Sequence, residues 1–154
     1  MNVKMLTDLS ACKEAIDWFV ENCKDNCSTE EAVDTLIKSK HKQAFTWSNW
    51  ILARLLTDVN KIKYAVFAAR KVLSIFEKQY PKDLRPRLAL EAAEKFISDP
   101  SEINKDACAA ADAARAAARA AYAADAAYAA CAAANADINK KIIRYGVKLL
   151  KEQK

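Results

Sequence analysis

Glycine occurs once in this chain of 154 residues, at Gly146, histidine once, at His41, and proline three times, at Pro81, Pro86 and Pro100. Each scarcity removes something. Hairpins, phosphate-cradling loops, dinucleotide fingerprints and nucleophile elbows all need glycine where backbone turns sharply or approaches a ligand, so none can be built here. A single imidazole excludes a His-rich metal site and any catalytic plan that uses two. With so few turn-formers, the chain reads as all-α.

The other thin signals concern compartment and charge. The N-terminal MNVKMLTDLS has no apolar run of the kind a secretory leader carries. Five cysteines, Cys12, Cys23, Cys27, Cys108 and Cys131, are an odd number without framework spacing, which predicts free, mostly buried thiols in a reducing cytoplasm. Cys23 and Cys27 stand one helical turn apart, but no second pair or nearby histidine completes four ligands; neither a metal nor another cofactor is expected. The net charge of +5 is only mildly basic and does not establish nucleic-acid binding.

What the chain has in quantity is helical periodicity. Cys12, Ala15, Ile16, Phe19, Val20 and Cys23 make a first apolar stripe, with Asp8 or Ser10 as its cap and Trp18 at its flank. Ser28-Thr29-Glu30-Glu31 has the form of a capping box ahead of Ala32, Val33, Leu36 and Ile37. KSKHK, residues 38–42, reads as a solvated link, with an anion site as the alternative. Ala44, Trp47, Ile51, Leu52, Leu55 and Leu56 form a third stripe, on which Trp47 is a core residue. Asp58 would cap a fourth helix carrying Ile62, Ala65, Val66, Ala69, Val72, Leu73 and Phe76. After the loop QYPKDLRP, Pro86 suits a first helical turn, and Leu88, Ala89, Ala92, Ala93 and Phe96 make a fifth helix ended by Pro100.

Ala107 to Asp137 is a fifth of the chain and mostly alanine. Alanine has the best helix propensity, which predicts a long helix over about 102–136, about 50 Å at about 1.5 Å per residue. Methyl side chains let neighbouring backbones approach more closely than the usual spacing, so this helix is expected at the centre of the bundle. Asp112, Arg115, Arg119 and Asp125 in its middle exclude a membrane span. Ile138, Ile142, Tyr145 and Leu149 predict a further helix, or a continuation through Asp137, over 138–152. The expectation is one all-α domain, residues 1–154, of six to seven helices, with short ones over 8–97 packed around the alanine-rich one.

The larger residues in the alanine run are the candidates for chemistry. Asp112, Arg115, Arg119 and Tyr122 share one helical face, and Asp125 and Tyr128 continue it with a drift. The structural reading makes them a solvent face or a row of ion pairs that sets register. The functional reading makes them a shallow groove whose guanidinium and phenol groups grip phosphate, carboxylate or a nucleobase. Trp50 and Arg54, edging away from the third stripe, divide in the same way between rim packing and a partner-binding hot spot.

ACKEAIDW (Ala11 to Trp18), WSNWILARL (Trp47 to Leu55), RPRLALEAAE (Arg85 to Glu94) and the Ala/Asp/Tyr run, in that order, resemble an alanine-rich family of bacteria and their phages labelled putative immunity protein. The resemblance implies an all-helical protein used in bacterial or phage conflict, cytoplasmic in the bacterium or in a phage's host, that acts by binding rather than catalysis.

The leading expectation is therefore a non-enzymatic inhibitor that binds a toxin or defence effector through Trp50, Arg54, Arg115, Arg119, Tyr122 and Tyr128. The second is a sponge that sequesters a nucleotide immune signal in an Arg- and Tyr-lined pocket, formed within or between chains. The third is nucleic-acid binding through Lys61, Lys63, Arg70 and Lys71 or the basic C-terminal helix. An enzyme resting on Glu91 and Glu94 ranks last. A second copy of the chain is a further candidate partner, because an uncovered alanine face would bury well against its own copy.

Overall fold

The computed structural model describes residues 1–98 and 136–153. Among them are seven helices and no strand: α1 (Val3–Asp8), α2 (Lys13–Asn22), α3 (Thr29–Lys38), α4 (Ala44–Leu55), α5 (Asp58–Gln79), α6 (Arg85–Ser98) and α7 (Ala136–Glu152). The architecture is an all-α bundle, as the scarcity of turn-formers predicts. The expected long helix over about 102–136 and its central place lie outside the described residues, apart from Ala136. Asp137 sits in the first turn of α7, 3.4 Å from Lys141.

The first three links bend without glycine. Ser10 (φ 61°), Asn26 (φ 63°) and Lys40 (φ 56°) each take the left-handed conformation, which asparagine tolerates and a lysine reaches only at a cost. Ahead of the first link lies α1, which the periodicity did not reveal because six residues are too few to repeat. The Asn2 side chain caps it by accepting from the Met5 N–H at 2.9 Å. Asp8 and Ser10 are consequently spent on α1 and its exit. The N-cap of α2 is Cys12, with no side-chain hydrogen bond.

At the edge of the bundle, α2 buries less than its stripe suggests. Phe19 is in the core, whereas Cys12 and Val20 are exposed. The expectation of mostly buried thiols fails here too, since Cys12 is exposed and Cys23 and Cys27 are half-buried. The capping box of α3 forms as read: the Glu31 N–H donates to Ser28 Oγ (3.1 Å) and the Ser28 N–H to Glu31 Oε2 (2.8 Å). Ala32, Val33 and Leu36 are buried behind it.

In α4 the buried face is Ala44, Ser48, Ile51 and Leu52, and Ser48 satisfies its hydroxyl on the Ala44 carbonyl at 2.7 Å. Trp47 is not a core residue. The inward face runs through Ser48, which leaves the indole half-buried at the rim. The N-cap of α5 is Thr57, and Asp58 lies inside the first turn, where it pairs with Lys61 at 3.1 Å. Val66, Ala69 and Leu73 pack against Leu90 and Ala93 of α6. Leu88 and Ala92, expected inside, are exposed. Ala93 is buried as expected, and contact with α5 joins it to Leu90 and Ile97 rather than to Leu88 and Ala92.

The middle of the described bundle is α7, which packs against α3, α4 and α5 and buries Ile142, Ile143, Gly146, Val147 and Leu149. Ile143 and Leu52 are fully buried in the larger core, shared with α1, α2 and α3. The sole glycine lies at the crossing of α7 with α4 and α5. A Cβ on Gly146 would stand 2.7 Å from Tyr64 Cε2 and 2.8 Å from Leu52 Cδ1, so any larger residue would force one of these side chains to shift. Phe67 stacks on Tyr145 alongside, with ring centroids 4.1 Å apart.

A polar clasp closes the far end. Gln153 donates to the Leu55 carbonyl (2.7 Å) and accepts from the Thr57 N–H (3.0 Å), while buried Asn60 donates to the Leu149 carbonyl and to Gln153 Oε1, both at 3.2 Å. The two Gln153 bonds to Leu55 and Thr57 satisfy backbone groups left over where α4 ends and α5 begins, and Asn60 satisfies a carbonyl in the last turn of α7.

Candidate functional site

Three surface features of the described residues carry chemistry. The first joins two residues singled out in the sequence. Trp50 is half-buried at the margin of the larger core, and one turn later on α4 the Arg54 guanidinium lies over its ring, 4.5 Å from the centroid. The pair presents a flat aromatic and cationic face, and such a contact contributes about 0.5–1 kcal/mol at an exposed site. Asp112, Arg115, Arg119, Tyr122, Asp125 and Tyr128 lie outside the described residues.

The second feature is a shallow groove of about 470 Å³ between α2 and the link into α4, lined by Lys13, Glu14, Asp17, Trp18, Glu21 and His41. His41 stacks on Trp47 with centroids 4.6 Å apart, and Trp47 lies 6.4 Å from Trp18. His41 Nδ1 accepts from the Gln43 N–H at 3.1 Å, which assigns the ring proton to Nε2, 4.0 Å from Glu14 Oε1. Lys38, Lys40 and Lys42 are exposed as a solvated link should be, but His41 is half-buried. The carboxylates are already engaged in part: Asp17 by Lys13 at 2.7 Å and Glu14 by Lys42 at 3.5 Å.

The third feature, at the α5–α6 corner, was not singled out in the sequence. Tyr80, Leu84 and Leu88 are 56%, 54% and 60% exposed, and with Pro81, Lys82, Asp83 and Arg85 they line an open depression of about 700 Å³. Tyr80 is braced by Phe76, with ring centroids 5.0 Å apart. Two ion pairs lie in this stretch, the first on the lining of the depression and the second tying α6 to α5. Arg85 grips Asp83 through Nε (2.9 Å) and Nη2 (2.6 Å), and Arg87 grips Glu77 through the same two nitrogens at 2.8 Å each. The Arg85 guanidinium holds the Asp83 carboxyl down at about 2. The spacing of four from Tyr80 to Leu84 to Leu88 was the available signal, but a proline-bearing loop interrupts it and the stretch reads as a connection.

The charges proposed for nucleic-acid contact are partly spent. Lys61 pairs with Asp58 at 3.1 Å, Arg70 makes a two-pronged bond to Glu94 (2.7 and 2.6 Å), and the Lys71 ammonium lies 4.9 Å from the Phe67 ring centroid. Glu94 is thus an ion-pair partner, its carboxyl held low by Arg70, and not one of two free acids. Partial burial and the adjacent Cys27 raise the Cys23 thiol to about 11, far from a reactive thiolate. Among the described residues no three metal-binding side chains come together, and no helix is long and apolar enough to cross a membrane.

Fold and surface together define a small all-α protein whose distinctive features are aromatic, apolar and arginine-bearing patches. The family model described as Imm-5 like putative immunity protein matches residues 54–141, more than half of the chain, and the chain belongs to that family. The matched stretch runs from Arg54 through α5 and α6 into the first turns of α7, and it contains the whole α5–α6 corner. No curated protein and no solved structure matches the chain.

Proposed function

We propose that this protein is a non-enzymatic inhibitor that neutralises a toxin or defence effector of bacterial conflict by binding it directly. Membership of an immunity family supports a conflict role. The observation that carries the binding mode is the contiguous apolar corner, Tyr80, Leu84 and Leu88, inside the stretch that matches the family. An exposed apolar centre with a polar rim is what a protein interface needs, because its burial drives association while the rim selects the partner. Trp50 and Arg54 supply a second patch of residue types that interfaces favour.

The test is cross-linked capture from the native host or phage setting, followed by reconstitution of the purified pair. A stoichiometric complex in which the captured effector loses its toxicity is the expected result. A protein that captures nothing and instead turns over a metabolite would sink the proposal.

A further inference from the structure

The α5–α6 corner also constrains the chemistry of what docks on it, and this inference rests on the binding role just proposed. Around the apolar centre, residues 77–88 hold the cations Lys78, Lys82, Arg85 and Arg87 and the carboxylates Glu77 and Asp83. Exposure is divided unequally between the signs. The side chains of Asp83 and Glu77 are 23% and 25% exposed, whereas those of Arg85 and Arg87, their partners, are 88% and 43% exposed. Each ion pair therefore turns its carboxylate inward and its guanidinium outward, and Lys78 and Lys82 are exposed as well. On the lining itself Lys82 and Arg85 are exposed and Asp83 is turned inward, so an approaching molecule meets a leucine and tyrosine centre with positive charge at its edge. Exposed Glu91 lies one turn beyond Leu88 on α6.

The rim is also preorganised. Asp83 accepts from the Arg85 backbone N–H (3.1 Å) as well as from its guanidinium, so this arginine is already held where it would act. Less side-chain entropy is then lost on association. A chain of net charge +5 steers acidic partners toward itself and repels its own copies.

We propose that the α5–α6 corner docks a short apolar segment of a partner protein flanked by carboxylates, its aliphatic or aromatic side chains on Tyr80, Leu84 and Leu88 and its acidic flanks on Lys82, Arg85 and Arg87.

The probes are three synthetic peptides with one leucine- and phenylalanine-containing core, flanked respectively by glutamates, glutamines and lysines. The full chain, methyl-labelled at leucine, is titrated with each by NMR. The expected result is saturable shifts at Leu84 and Leu88 with the glutamate-flanked peptide, about tenfold weaker binding with glutamine flanks and none with lysine flanks. R85Q should weaken the glutamate-flanked peptide about three- to tenfold and flatten its salt dependence. L88S, at an exposed position, should abolish the shifts while leaving the circular dichroism unchanged.

No shift, shifts elsewhere, or binding indifferent to the flanking charge overturns the proposal. Shifts at Leu88 that grow with protein concentration alone overturn it in favour of a second copy. A native effector captured equally by the wild type and L88S removes this docking site but leaves the inhibitory role standing.

Discussion

Gly146→Ala is the substitution that tests the packing most directly, because two opposing effects act at one atom. Alanine in place of glycine within a helix stabilises by about 1 kcal/mol. Against this, the new methyl would lie 2.7 Å from Tyr64 Cε2 and 2.8 Å from Leu52 Cδ1, so something must move. Leu52 is fully buried, and the Tyr64 ring is tethered by its hydroxyl to Asn49 Oδ1, so neither yields easily. Overpacking of this kind costs about 1–3 kcal/mol, and contacts on two sides place it at the upper end. The expected net loss is about 2 kcal/mol, or about 4–8 °C in melting temperature for a chain of this size.

Urea titration followed by tryptophan fluorescence measures it. Combining the substitution with Leu52→Ala adds a sharper readout. Leu52→Ala alone should cost about 2–5 kcal/mol, and the double variant should lose at least about 1 kcal/mol less than the two single losses together, because each relieves the other. A Gly146→Ala protein as stable as the wild type, or more so, would refute the seating of α7 against α4 and α5.

Lys40→Gly should stabilise by up to about 1 kcal/mol, because a left-handed lysine costs about 1–2 kcal/mol and glycine returns part of that to unfolded-state entropy; the same urea titration checks it. Gln153→Ala should destabilise by about 1–2 kcal/mol through loss of its bonds to the Leu55 carbonyl and the Thr57 N–H, and hydrogen exchange at Thr57 should speed up with it. The Asp83 carboxyl should titrate near 2 by NMR and return toward the ordinary aspartate value in R85Q. Because its folded value is depressed, whatever stability the pair adds is complete above about pH 4 and fades as the pH falls toward 2.

Several parts of the fold are legible in the sequence itself. The α3 capping box could be read because both partners stand three residues apart and the bonds are local. The α5 stripe could be read because its period recurs over a helix of 22 residues. On α6 the same reasoning was right for Ala93, which is buried, but took Leu88 and Ala92 for core in place of Leu90 and Ile97, a choice that only the position of α5 makes. Trp47 failed likewise, by one position. For the candidate site, Trp50 and Arg54 could be paired from their spacing of four on one helix, whereas the Tyr80, Leu84 and Leu88 corner crosses a loop whose geometry the spacing does not contain.

Composition and periodicity by themselves determined that the chain is helical and roughly where α2 to α7 lie, since both follow from a residue's own backbone preferences and its neighbours within a turn. Tertiary structure alone decided that α7 occupies the middle of the described bundle and that the sole glycine lies where it meets Leu52 of α4 and Tyr64 of α5. It alone brought Gln153 to the joint between α4 and α5. Those outcomes depend on contacts between residues far apart in the chain, and their energy depends on shape and separation, which no local pattern records.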